Sequence, residues 1–377
     1  MEIKPIRQRW KSSMTDRERF NRQMHFQSVD RCFNMEFGYW EDNFSKWDIF
    51  VKNNIRNNND ADIFFNFDKI TGLGGHTFMY PAMKEKVVEV RGKTRVIMNS
   101  EGLLAEVPLE GGGSSIPHFL ESSIKNPDDW KRVKEEHFNI NHPDRKLDIA
   151  ALKKKHLPDA GRDYPLGINC GSMIGKVRDM LTFEGLAYAI YDYPQMVEDM
   201  VETSCRLVEY SLDQLLPEFK FDYASGWEDI CFNNGPIVSL DFFRDIVMPR
   251  YKRINKKLKA YGIDIWYTDC DGDVRPIMPY LLEGGINCLF PYEVNSCAHP
   301  GELLDQYQGQ GLRIMGGVDK MALGKGKDAI KVYLHTLEKY VARGGYIPFC
   351  DHRCPPNVKP DDYIYYLDLK EKMFGMA

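Results

Sequence analysis

The chain has 377 residues, of which 43% are hydrophobic and 28% charged, the composition of an ordinary globular protein. A net charge of −5, with Lys and Arg scattered along the chain, speaks against a nucleic-acid surface. No apolar run approaches the roughly 18 residues a membrane span needs, and the polar opening Met1-Glu2-Ile3-Lys4-Pro5 is no secretory leader. Nine widely spread cysteines, an odd number without a CxxC pair, fit a reduced cytoplasmic protein rather than a disulfide scaffold.

The first plausible strand is Asp30–Phe37. Val87–Met98 alternates around a turn at Arg91-Gly92-Lys93 and reads as an inserted hairpin. Gly111-Gly112-Gly113-Ser114-Ser115 reads as either a linker or an active-site lid. From about residue 165 onward the chain repeats strand and helix. The predicted strands are Leu166–Cys170, Phe221–Ser225, Ile263–Thr268, Ile286–Glu293, Leu312–Val318 and Tyr346–Cys350. Between and after them lie predicted helices at Pro194–Leu216, Leu240–Tyr261, Val274–Glu283, Gly301–Tyr307, Asp328–Ala342 and Asp361–Phe374. Several of these end at glycines such as Gly262, Gly284-Gly285 and Gly344-Gly345, where a helix C-terminus favours them.

Alternation at this spacing means βαβ units with parallel strands. The expected fold is a (β/α)8 TIM barrel, ahead of an open doubly wound sheet, since no G-x-G-x-x-G fingerprint follows a strand. One domain is expected over residues 1–377, with an N-terminal helical extension over 1–29 and an insertion or loop region over about 70–120.

A barrel's active site sits at the C-terminal strand ends. Those ends carry Glu228 and Asp229; Asp269, Cys270, Asp271 and Asp273; Glu293; Asp319 and Lys320; and Cys350, Asp351 and His352. Such a rim supports acid–base catalysis by paired carboxylates, a three-ligand metal site, or helix capping by single acids. The candidate catalytic residues are Asp271, Glu228 and Asp229. If the loops stay extended, Asp269 and Asp271 face in with Cys270 behind, and Cys350 shares a side with His352.

The segments GWEDICFNNGPIVSLDFFRDIVMPRYKRI, TDCDGDV, GGVDKMALGKG and GGYIPFCDHRCPP, with FNRQMHFQSVDRC near the start, resemble the uroporphyrinogen decarboxylase superfamily. The resemblance implies a (β/α)8 fold. The Arg-rich N-terminal stretch of true uroporphyrinogen decarboxylases is absent; Glu36-Phe37-Gly38-Tyr39-Trp40-Glu41-Asp42 stands in that region. The chain is therefore more similar to the cobamide-dependent methyltransferase branch, which binds zinc through a His-x-Cys-Gly motif and a later Cys. Asp269-Cys270-Asp271-Gly272 occupies the place of that motif, and His352, or Cys350 with a two-residue slip, that of the later Cys. The resemblance thus implies a zinc or other divalent metal site drawn from Asp269, Asp271, Glu293, His352 and Cys350. It implies transfer of a methyl group from a small methylated substrate, of the methoxylated class that includes aromatics, to a corrinoid carried by a separate protein, with metal assistance at the leaving oxygen. Phe37, Tyr39, Trp40, Phe44 and Trp47 are candidates to line such a pocket, or else core. A homodimer is compatible with this reading. The alternative is a decarboxylase of a tetrapyrrole or another small carboxylic acid.

Overall fold

The computed structural model describes residues 3–109, 118–156 and 161–376; the glycine-rich stretch at 111–115 lies outside them. Seven strands form one parallel sheet: β1 (Thr71–Leu73), β2 (Leu166–Asn169), β3 (Tyr223–Trp227), β4 (Trp266–Asp269), β5 (Cys288–Tyr292), β6 (Arg313–Val318) and β7 (Tyr346–Cys350). Spatial neighbours follow one another in sequence, so each crossover carries the chain one strand further round. The connecting helices include Pro194–Leu215, Met248–Ala260, Met278–Gly284, Pro300–Gln306 and Lys327–Arg343, and Pro360–Phe374 follows β7.

Strand alternation divides the core in two. Tyr223, Tyr267, Cys288, Phe290, Met315, Ile347 and Phe349 belong to a cluster on the concave side of the sheet. Trp266, Leu289, Ile314, Tyr346 and Cys350 join the larger cluster formed with the surrounding helices. Two residues from the helix Asp16–Met24, Phe20 and Met24, complete the concave cluster and are fully buried. That helix closes the N-terminal end of the strands. The backbone N–H of Gly345 donates to the Gln23 carbonyl at 2.7 Å, the Arg313 guanidinium donates to the Met24 carbonyl, and His25 Nε2 lies 3.0 Å from Asp264.

The expected closed eight-stranded barrel is not what the strand pairing shows. Seven strands are laddered, and Asp30–Phe37 forms no ladder with either edge. The segment nevertheless runs through the gap between β7 and β1, with Phe33, Met35 and Phe37 packed on the concave cluster at the period of two that a strand would show. Side chains replace much of its backbone pairing. The Gln23 amide accepts from Phe33 N at 2.7 Å and donates to the Tyr346 carbonyl at 2.6 Å. Glu36 accepts from Cys350 N at 3.1 Å, and Asp68 accepts from Asn34 N at 3.0 Å. Backbone contact is confined to isolated points such as Asp68 N to the Asn34 carbonyl and the Tyr39–Cys354 bridge.

Two further differences have local causes. Ile263 and Ile265 of the predicted strand Ile263–Thr268 are buried and Asp264 is exposed, but the ladder runs from Trp266 to Asp269, one residue further than expected. The helix predicted over Leu240–Tyr261 contains a wider π turn at Phe243–Val247. Pro249 follows it, lacks an N–H and would clash with the carbonyl four residues back, which a locally widened helix avoids. Between β1 and β2, the expected hairpin is part of a four-stranded antiparallel sheet comprising Lys86–Arg91, Thr94–Met98, Leu103–Pro108 and His118–Ser122. Among the described residues, no helix is long and apolar enough to cross a membrane.

Candidate active site

The loops after β3 and β4 lock together at the C-terminal rim. Glu228 N donates to the Asp269 carbonyl at 2.8 Å, Asp271 N to Asp229 Oδ1 at 3.0 Å, and Asp273 N to the Phe232 carbonyl at 2.9 Å. Gly272, at φ +91°, rests against the Cys231 carbonyl, where a Cβ would collide. Asp229 adopts φ +53°, a turn uncommon for a side-chain-bearing residue, which sends it and Glu228 in different directions.

Glu228 points away from the concave side. Its carboxylate accepts from Ser172 Oγ at 3.0 Å, from Met173, Ile174 and Gly175 N at 2.7 to 2.9 Å, and from the Tyr251 hydroxyl at 2.6 Å. It thereby holds the N-terminus of the helix Gly175–Leu181, where unpaired backbone N–H groups favour an anion. Glu228, expected from the sequence among the catalytic acids, is fully engaged in this structural role.

Asp269 has the opposite surroundings. It follows Tyr267 on the inner side of β4, and no hydrogen bond or ion pair holds its carboxyl among the described residues. Burial, then the neighbouring charges of Asp271 and Asp229, push its pKa up to about 8, with Arg353 opposing. Burial and Asp271 also raise Asp229, whose Oδ2 lies 3.9 Å from the Arg178 guanidinium. Asp271 Oδ2 is 3.3 Å from His352 Nε2, and its Oδ1 is covered without a hydrogen-bond partner among the described residues. Cys270 packs behind this group in the helix-side core.

The histidine belongs to a series of aromatic contacts that descends from rim to interior. His352 stacks on Trp40 at 5.3 Å and meets Phe37 edge-on at 5.5 Å. Phe37 meets Phe290 at 5.2 Å, Phe290 meets Tyr267 at 4.6 Å, and Tyr267 stacks on Tyr223 at 5.7 Å. Tyr223, Tyr267 and Phe290 also line a cavity of about 600 Å³, together with Gly72–Gly75, Asn169, Ser225 and Met315. The cavity is mostly ringed by small, aromatic and apolar groups, with Asn169, Ser225 and Thr77 among its polar ones, a mixture suited to a small molecule with an apolar ring. Of the predicted aromatic supply, Phe37 and Trp40 reach this site. Tyr39, Trp47 and Phe44 pack with Phe50 and Tyr363 in the outer core instead.

Two of the five expected metal ligands are engaged elsewhere. Cys350 lies on the helix side of β7, its thiol raised well above its ordinary range by burial and by Cys354. The chain bends after Cys350, so the expectation that Cys350 and His352 share a side does not hold. Glu293 is bound by the Lys320 ammonium and the Ser296 hydroxyl. Asp351 bridges the same loops, accepting from Val294 N and Lys320 N at 3.0 Å each. Among the described residues no three His, Cys, Asp or Glu side chains converge in a way that would hold a metal ion. The residues present therefore do not fit the implied zinc site.

Sequence reasoning passed over Arg353, Tyr267 and Asn169. A period-two reading of β4 would have placed Tyr267 beside Asp269; nothing local marks the other two.

No protein-family model matches this chain, and no curated protein matches it in sequence. Among solved structures its fold is similar to that of a methyltransferase from Methanosarcina mazei, with a TM-score of 0.57 and 13% identity, over 96% of this chain and 99% of that one.

Proposed function

We propose that this chain is a methyltransferase that moves a methyl group from a small methoxylated aromatic substrate to a corrinoid carried by a separate protein. The observation that carries this reading is the Asp269 carboxyl: inward-facing, free of partners among the described residues, and set beside Asp271 and Asp229, with burial first and those charges second pushing its pKa up to about 8. The fold's similarity to a methyltransferase supports the reaction class.

The acceptor supplies the nucleophile, and the remaining work falls to the chain's own residues. As the methyl carbon departs, the electron pair of the C–O bond collects on oxygen. A phenoxide or alkoxide is a poor leaving group unless that charge is met by a proton or a donor. Asp269 gives its proton to this oxygen and becomes a carboxylate. Burial, and then the charges of Asp271 and Asp229, make that carboxylate costly, which favours the protonated acid before the reaction. Tyr267 and Phe290 hold the ring of the substrate. Asp269 regains its proton from solvent once the product has left, beside His352, which Asp271 and Trp40 keep in place at the rim. No metal is given a step: Cys350 and Glu293 are engaged elsewhere, and among the described residues Asp269, Asp271 and His352 do not form a three-donor group.

The test is methyl transfer from a panel of methoxyarenes to a Co(I) corrinoid, followed by visible absorbance. Asp269→Asn is expected to lower the rate by about 10²- to 10⁴-fold while substrate binding is retained. Full activity in that variant would remove Asp269 from the mechanism. Metal analysis belongs beside it: one tightly bound zinc per chain, needed for turnover, would restore a metal-assisted scheme. Release of CO2 from an aromatic acid without corrinoid methylation would favour the decarboxylase alternative, in which the same acid protonates carbon.

A further inference from the structure

Arg353 stands apart from the other arginines near this rim. Arg178 is hydrogen-bonded to Asp179 at 2.8 Å, and Arg275 is paired with Asp273 at 2.8 Å. The Arg353 guanidinium has no hydrogen bond or ion pair among the described residues, although the side chain is half-buried. It lies over the rings of Phe37, at 5.8 Å, and Trp40, at 5.9 Å. Those rings also hold His352, and Phe37 continues into the cavity wall through Phe290. Asp269, on the inner side of β4, feels the charge of Arg353.

An arginine with five donors, half-buried and without a protein acceptor among the described residues, keeps those donors available to a ligand. Aromatic faces stabilise the cation but do not satisfy its N–H groups. They do restrict the side chain, which lowers the cost of ordering its planar fork on a carboxylate. We propose that Arg353 is a specificity-determining residue that binds an anionic substituent, a carboxylate in the first instance, on the ring of the aromatic substrate. The inference rests on the methyl-transfer reading for the substrate's methoxyarene class. Arg353 then anchors one end of the ring while the methoxy oxygen is presented to Asp269.

The experiment is isothermal titration calorimetry of the full chain with 4-methoxybenzoate and with the neutral 4-methoxybenzamide. Wild type is expected to bind the benzoate roughly tenfold or more tightly than the amide, as a charge-assisted bidentate pair should. Arg353→Gln is expected to erase that preference with the amide affinity unchanged, and Arg353→Lys to recover part of it. Thermal unfolding of each variant checks that the chain remains folded. Equal or absent binding of the two probes by wild type, or a preference that survives Arg353→Gln, overturns the inference. Binding is read without turnover, so the two readings fail separately. A benzoate preference with no methyl transfer to the corrinoid overturns the proposed function alone. Equal transfer from both donors overturns the role of Arg353 alone.

Discussion

Glu228 and Asp269 are carboxylates joined through a single backbone hydrogen bond, and they differ in what their oxygens meet. Glu228 receives five donors, whereas Asp269 receives none among the described residues. The difference has a consequence for stability. Asp269 holds its proton to about pH 8 when folded, but releases it near the ordinary value of 3.8 when unfolded. Between those limits the folded chain binds the extra proton, so stability falls as pH rises from about 4 to 8 and then levels off. Each pH unit of difference corresponds to about 1.4 kcal/mol, which puts the upper bound on the burden of this one carboxyl at about 6 kcal/mol at pH 8. Asp269→Asn is therefore expected to raise the melting temperature at pH 8 and leave it nearly unchanged at pH 4. Thermal unfolding across that range measures it, and a variant less stable than wild type at pH 8 would contradict the assignment. The variant that loses activity should be the one that gains stability, as at other sites where function holds a group in costly surroundings.

At the scale of elements, the helix Gly175–Leu181 begins on a side chain that follows the next strand, with Ser172 Oγ accepting from Lys176 N at 3.0 Å as a local cap. Glu228→Ala leaves three buried backbone N–H groups and the Ser172 and Tyr251 hydroxyls without their acceptor. The expected loss is about 3–5 kcal/mol, read from urea unfolding, with methyl transfer impaired because the loop carrying Asp229 moves with it. This role was not visible in the sequence: Gly226-Trp227-Glu228-Asp229 shows two acids at a strand end, but not which one turns outward at the positive φ of Asp229. The strands and helices from Leu166 onward were legible because apolar runs, glycine stops and helical periodicity all agree there. The Cys350–His352 pairing was misjudged because alternation holds only while the chain stays extended, and it bends after Cys350. Arg353 is set by its stack on Phe37 and Trp40, residues from the opposite end of the chain, which no local pattern reports.

For the whole molecule, the seam between β7 and β1 is where expectation and structure part. Phe33, Met35 and Phe37 carry the apolar alternation of a strand, and that much could be read from the sequence. Gln23 and Asp68 meet backbone donors of the segment, and its own Glu36 meets Cys350 N of β7, side chains whose reach depends on the completed fold. A row of side-chain bonds closes the sheet with less cooperativity than a ladder does, so this seam should open before the strands beside it. Native-state hydrogen exchange is expected to release the amides of residues 33–37 well before those of Arg313–Val318, and Gln23→Ala to widen the gap. Equal protection of the two segments would mean that the seam is as firm as a paired strand.

The stacking of Trp40 on His352 also gives the molecule an optical gauge of its own site. Among the described residues it is the tryptophan in ring contact with a histidine, and indole emission is sensitive to what lies against its ring. Light emitted by Trp40 therefore follows the stack itself, and any rearrangement of the rim that parts the two rings, without any label being added.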